Sequence, residues 1–177
     1  MPKRLLAPLL LMAGCASNDF APMPTVASIE LDRFMGDWYV IANIPTFIEK
    51  GAHNAIESYE MNADGTVKTT FTFRQDSFDG KTKTYHPTGF VVPDTGNAIW
   101  GMQFIWPIKA DYRIVYLTPD YSQTVIGRNA RDYVWIMART PAISDADYAT
   151  ILAHLKKLGY DITSIQKVPQ NWGARPS

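Results

Sequence analysis

Gly36-Asp37-Trp38-Tyr39-Val40-Ile41-Ala42-Asn43-Ile44 is the stretch on which the reading of the fold turns. From Trp38 on it is rich in aromatic and β-branched side chains, which pack well on a pleated, half-buried surface, so residues 38–44 are predicted to form a strand. Runs of the same character recur at 55–61, 67–73, 81–92, 98–106, 112–117, 124–128 and 133–139. Breakers such as Ala63-Asp64-Gly65 and Pro93-Asp94-Thr95-Gly96 separate them. Short strands at this spacing make the chain all-β and point to an antiparallel sandwich or a closed barrel.

One helix follows the last of these strands. Ser144 is placed to cap its N-terminus, Asp145 and Asp147 sit in the first turn, and Lys156, Lys157 and Gly159 mark its end. Tyr148, Ile151, Leu152, Leu155 and Leu158 fall on one face at helical spacing, so the helix should lie on a flat apolar surface such as a barrel's outer wall. Residues 162–168 read as a final short strand. With 177 residues, 46% of them hydrophobic, the chain has material for one core and not for two. Lys plus Arg and Asp plus Glu are 17 each, so the formal net charge is zero and nothing in the charge pattern suits a nucleic acid.

Side chains alternate between the two faces of a strand, which makes the inner face readable. Gln103 outward sends Trp100, Met102, Phe104 and Trp106 inward; Arg113 outward sends Tyr112, Ile114 and Tyr116 inward. Lys68 and Arg74 outward send Val67, Thr69, Phe71 and Phe73 inward, and Tyr133, Trp135 and Met137 share a face of the strand at 133–139. The interior is predicted to be aromatic and apolar. Such residues fill a core or line a cavity, since an eight-stranded barrel is just wide enough for either, and alternation leaves the choice open.

The N-terminus has another character. Lys3 and Arg4 precede an apolar stretch, Leu5 to Met12, broken only by Pro8 and closed by Ala13-Gly14-Cys15. About ten apolar residues are too few to span a bilayer, which needs roughly 20, so residues 1–14 read as a secretion signal. Met12-Ala13-Gly14-Cys15 resembles the lipobox of bacterial lipoproteins, which implies cleavage before Cys15 and its acylation. Cys15 is the only cysteine, so no internal disulfide forms. Ala16 after it implies, by resemblance to lipoprotein sorting in Gram-negative bacteria, the outer membrane; the periplasmic side is the expectation, and the sequence leaves the leaflet open. Residues 15–28, with Pro22 and Pro24, read as lipidated cysteine and tether ahead of a domain at 29–170, and residues 171–177 as a tail.

Gly36-Asp37-Trp38-Tyr39, preceded by Leu31-Asp32-Arg33-Phe34, resembles the lipocalin Gly-x-Trp motif after its short N-terminal helix. Asp120-Tyr121 resembles the family's Thr-Asp-Tyr turn, with Pro119 inserted after Thr118, and Arg139 stands where the third motif has its basic residue. With Pro141-Ala142-Ile143-Ser144 leading into a helix, the chain resembles the bacterial outer-membrane lipocalins and the apolipoprotein D group over residues 29–170. The resemblance implies an eight-stranded antiparallel up-and-down barrel with a short N-terminal helical turn and a C-terminal α-helix packed outside. It further implies a cavity, open at one end, for fatty acids, lysophospholipids or similar apolar molecules. Gly36, Trp38, Asp120, Tyr121 and Arg139 are then architectural: an Arg139 guanidinium over the Trp38 indole would plug the closed end.

Phe71, Phe73, Trp100, Met102, Phe104, Trp106, Tyr112, Ile114, Tyr116, Tyr133, Trp135 and Met137 are the expected ligand-facing residues. The loop at 45–53, with Phe47 and Ile48, is a candidate lid over the mouth, and Lys109 a candidate contact for an anionic headgroup. Gly-x-Ser-x-Gly, His-Glu-x-x-His, a phosphate loop and a cysteine cluster are all missing from the sequence, and His53, His86 and His154 are scattered, His154 on the helix surface. No cofactor or metal is expected; a carboxylate mechanism through Glu57 or Glu60 and haem binding are the weaker readings. A packed structural lipoprotein is the other alternative, and a homodimer stays open.

Overall fold

The computed structural model describes residues 21–173. The signal-like segment, Cys15 and the last four residues lie outside them. Nine strands build the barrel: β1 (Gly36–Ile44), β2 (Ala52–Met61), β3 (Val67–Gln75), β4 (Thr82–Tyr85), β5 (Thr88–Val91), β6 (Ile99–Ile105), β7 (Ile108–Leu117), β8 (Gln123–Gly127) and β9 (Val134–Ala138). Each is antiparallel to its neighbour in sequence, except that β4 and β5 both pair with β3 and act as one interrupted stave, giving eight in all. The run at 81–92, predicted continuous, breaks at His86-Pro87, where proline cannot donate to a ladder. β1 also pairs with β9, from Tyr39 opposite Ala138 to Ile44 opposite Val134, which closes the sheet and leaves no long free edge.

Closure is assisted by the C-terminal segment. β1 leaves β2 after Tyr39, and farther along, at Ala42 and Asn43, it takes β10 (Gln166–Lys167). Gln170 Nε2 then donates to the carbonyls of Val40 and Ala55, bridging the parted strands. The strand predicted at 162–168 is correspondingly short. Asp161 caps a 3-10 turn over Ile162–Ser164 by accepting from the Thr163 amide, a local bond that competes with a ladder.

Two apolar clusters divide the fold. The inner one holds Trp38, Tyr59, Phe71, Phe73, Trp100 and Ile114, while the outer one joins the wall residues Val115, Val125, Val134 and Ile136 to Ile151 and Leu155 of helix α2 (Asp145–Lys157). Ser144 caps α2 by accepting from the Asp147 amide. His154, expected on the surface, turns to the wall instead, with its Nε2 3.1 Å from the Val115 carbonyl and its ring 5.6 Å from Tyr116.

The stretch read as a tether is bound to the barrel over its described part. Met23 is buried, with its amide on Asn129 Oδ1; the Val26 amide donates to the Ile114 carbonyl and the Ile29 amide to Gly96. Prolines and small residues suit an extended strap on a wall as well as a free linker. The strap runs from the β8–β9 turn to α1 (Leu31–Phe34) at the opposite end.

Candidate functional site

The end at α1 is sealed. The Phe34 ring touches those of Trp38, Tyr59 and Trp100 at centroid distances of 5.1 to 5.7 Å, Tyr59 and Trp100 meet at 5.6 Å, and all four are buried. Trp38 Nε1 donates to the Phe34 carbonyl, and the Arg139 guanidinium lies 3.7 Å over the Trp38 ring. Arg139 also donates to the carbonyls of Arg33, Phe34, Met35 and Asp37. Gly36 stands at φ +91°, a conformation that favours glycine, beside Arg139 Nη1. In the β7–β8 turn Asp120 accepts from the Ser122 amide and hydroxyl, and the bond to Thr118, followed by these two, holds its carboxyl down at about 2. The Tyr121 hydroxyl accepts from the Glu30 amide, with Arg33 stacked 4.0 Å over its ring. The motif residues thus fasten the base.

Above this plug lies a cavity of about 400 Å³, open at the other end. Phe71, Met102, Phe104, Tyr112 and Trp135, all expected inside, line it. Phe73, Trp100, Ile114 and Met137 are buried in the barrel without reaching its wall, Trp100 being stacked on Tyr112 at 5.6 Å. Tyr133 sits beside the mouth, 6.4 Å from Trp135 and under Arg128. Two residues depart from the predicted alternation. A register shift between Ile114 and Tyr116 turns Tyr116 outward against α2, and another between Met102 and Ile105 leads to Trp106, 82% exposed at the β6–β7 turn. Lys109 points away from the cavity, with its ammonium 3.5 Å over the Phe90 ring. The cation that does line the mouth is Arg128.

Alternation on hydrophobic residues alone missed the polar part of the site. Thr46, Phe47, Ile48 and Glu49 of the β1–β2 loop line the cavity, Phe47 exposed and Glu49 buried. Thr46, through its amide and hydroxyl, donates to Glu49 Oε2 at 2.8 Å, and Trp135 Nε1 donates to Oε1 at 2.7 Å. Glu57 projects inward from β2, one pleat from Tyr59, whose hydroxyl bonds Tyr112. Burial, then the nearby Glu49, push the Glu57 carboxyl up to about 8, and burial raises Glu49 as well. Glu60, by contrast, is exposed and paired with Lys68. The signal for Glu57 was available: it lies two residues from Tyr59 on one face of a strand.

Residues 29–170 match the lipocalin-like domain family, and the chain belongs to it. Temperature-induced lipocalin-1 of Arabidopsis thaliana is 29% identical over 158 residues, covering 84% of this chain and 83% of that protein. Outer membrane lipoprotein Blc of Escherichia coli K12 is 26% identical, with 90% of each covered. Among solved structures, insecticyanin of Manduca sexta superposes with a TM-score of 0.66 at 14% identity, covering 87% of this chain and 86% of that one. Lobster apocrustacyanin A1 gives 0.64 at 14% identity, over 87% and 93%. These two share the fold. Membership places the chain among proteins that bind small hydrophobic ligands.

Proposed function

We propose that this protein is a lipid-anchored carrier of the bacterial outer membrane, tethered through an acylated Cys15, that holds an acyl-chain ligand of the fatty-acid or lysophospholipid type in its barrel. The observation that carries the reading is the cavity of about 400 Å³, apolar over most of its wall and closed below by the Trp38 plug. A buried methylene contributes about 0.8 kcal/mol, so a chain of about fifteen supplies a gross term near 12 kcal/mol. After the costs of binding, micromolar affinity, about −8 kcal/mol, is within reach.

The strap supports an orientation. Met23 lies beside the turn that contributes Arg128 to the mouth, and Cys15 precedes it by eight residues, a reach of at most about 29 Å. Phe47, Ile105, Trp106 and Ile108 are exposed on the loops at that same end. An anchored protein with an apolar rim around its mouth would rest mouth-down on the bilayer and exchange its ligand directly with it. His53, His86 and His154 are not on the cavity wall, and the acids that are, Glu49 and Glu57, leave the carboxylate alternative to the turnover test below.

The test is tryptophan fluorescence of residues 16–177, which keep every described residue, titrated with a lysophospholipid and a matched fatty acid. Trp135 on the cavity wall reports occupancy. Saturable change at micromolar ligand supports the carrier. A flat response from folded protein favours a packed structural lipoprotein, and turnover of lipid by pure protein would replace binding with catalysis.

A further inference from the structure

We infer that the cavity takes the amine end of a cationic amphiphile, held between the Glu57 carboxyl in the barrel and the Glu49 carboxyl of the mouth loop. This rests on the carrier reading and narrows it, favouring an acyl chain with an amine head over a fatty acid. Both glutamates line the cavity and are more than nine-tenths buried, 7% and 6% exposed. Of the other charges on the wall, Asp111 receives Arg113 Nε at 2.8 and 3.0 Å, and Arg128 pairs through Nη1 with Asp132 at 3.3 Å while its Nε stays buried without a hydrogen-bond partner. No lysine or arginine pairs with Glu49 or Glu57 among the described residues.

The two carboxyls differ in what they lack. Glu49 accepts from three neutral donors on its two oxygens, the pattern of an ionised carboxylate. Glu57 has Tyr59 as its only hydrogen-bond partner among the described residues, so its remaining capacity faces the cavity. An ionised carboxylate in an apolar chamber is costly unless a cation joins it, so without one Glu57 keeps its proton. An ammonium supplies that charge and three N–H donors on a compact head, while its chain takes the Phe71, Met102 and Trp135 wall. A fatty-acid carboxylate in the same place would add a further acid to two already in conflict.

Charge balance makes the idea measurable. Glu49, Tyr59, Tyr85, Asp111, Tyr112 and Arg128 are the titratable and charged neighbours of Glu57 around the chamber. Burial and Glu49 keep Glu57 protonated at neutral pH. Entry of an alkylammonium ionises it, so one carboxylic O–H breaks, its proton goes to solvent, and the ammonium–carboxylate pair remains. Neutral ligands release none.

The experiment is calorimetric titration of residues 16–177 with dodecylamine, dodecanol and laurate near pH 7, in two buffers of different protonation enthalpy, with lysophosphatidylethanolamine as a lipid-borne amine. Dodecylamine is expected to bind about tenfold tighter than dodecanol or laurate and to release close to one proton. Glu57→Gln should bring the amine to the level of dodecanol and abolish proton release while dodecanol binding stays; Glu49→Gln should weaken the amine alone. Lysophosphatidylethanolamine matching dodecylamine in affinity and proton release assigns the amine to a lipid head; dodecylamine alone doing so assigns it to a free amine. Equal binding of amine and alcohol, or no proton release, overturns the inference and leaves the carrier standing. No binding of any probe overturns the carrier itself.

Discussion

Arg139 stands with its guanidinium 3.7 Å over the Trp38 ring while its nitrogens occupy four backbone carbonyls of residues 33 to 37. The pair joins the start of β1 to the residue just after β9, the two strands whose pairing closes the barrel. Planar stacking and the fork of donors are both used, so lysine would not replace it.

Trp38→Ala is therefore expected to cost about 3–5 kcal/mol, the range for a fully buried aromatic, and to lower Tm by many degrees. Ligand stoichiometry per folded molecule should survive, because Trp38 does not line the cavity. Thermal denaturation followed by titration at low temperature separates the two effects. Lost binding at unchanged Tm would make Trp38 part of the site.

Glu57 sets a pH dependence. Its carboxyl, ordinarily near 4.5, is pushed up to about 8 by burial and by Glu49, so between those values the folded chain holds a proton that the unfolded chain gives up. Stability from this group is complete below about 4.5, falls as pH rises through the window, and is lost above about 8, a change of a few kcal/mol at about 1.4 per pKa unit. Glu49, raised too, adds in the same direction. The exposed Asp64, Asp120 and Asp161 are lowered and act only in more acid solution. Urea midpoints at about pH 5.5 and pH 8.5 should differ for the native chain and much less for Glu57→Gln. An equal difference between the two pH values in both proteins would show that Glu57 ionises freely in the fold.

The plug, the helix and the order of strands were legible because each depends on local chemistry: Trp38 and Arg139 in their motifs, Ser144 as a cap, breakers between β-formers. Alternation read Phe71, Met102 and Tyr112 onto the inner face, since the ladder around each keeps its period of two. It failed at Trp106 and Tyr116, which lie past register shifts that no single strand announces. Glu49 escaped because a charged loop residue reads as solvated, and its burial depends on Trp135, 86 positions away. The strap at 21–28 escaped because its partners, Asn129 for Met23 and Ile114 for Val26, are far along the chain.

The mouth loop should control exchange. Phe47 is 83% exposed and Ile48 half-buried on the cavity wall, while Glu49 anchors the loop to Trp135. Replacing Phe47 and Ile48 together by Ser removes the apolar cover without touching the anchor. Folding is expected to be retained and ligand release to quicken by up to about tenfold, for contacts worth about 1.4 kcal/mol. Stopped-flow displacement reads the rate, and an unchanged rate removes the lid role.

Ile105, Trp106 and Ile108 are 69 to 82% exposed at one hairpin turn, on the end of the barrel from which the strap leads back to Cys15. Without Lys3 and Arg4 of the signal, residues 16–177 carry 15 Lys plus Arg against 17 Asp plus Glu, a small formal excess of −2, so attraction to an uncharged bilayer at this face should be apolar and nearly independent of ionic strength. Anchor-free protein should partition weakly onto phosphatidylcholine vesicles, with Trp106 emission shifting to the blue and quenched by brominated lipid. Trp106→Phe should keep the partitioning and lose that signal, which isolates it from the other tryptophans. Ile105→Ser, Trp106→Ser and Ile108→Ser together should abolish partitioning, while Tm moves little because the sites are exposed. Partitioning that survives the triple substitution, or that vanishes at high salt, would mean that another face meets the membrane, and that the mouth opens to solvent instead.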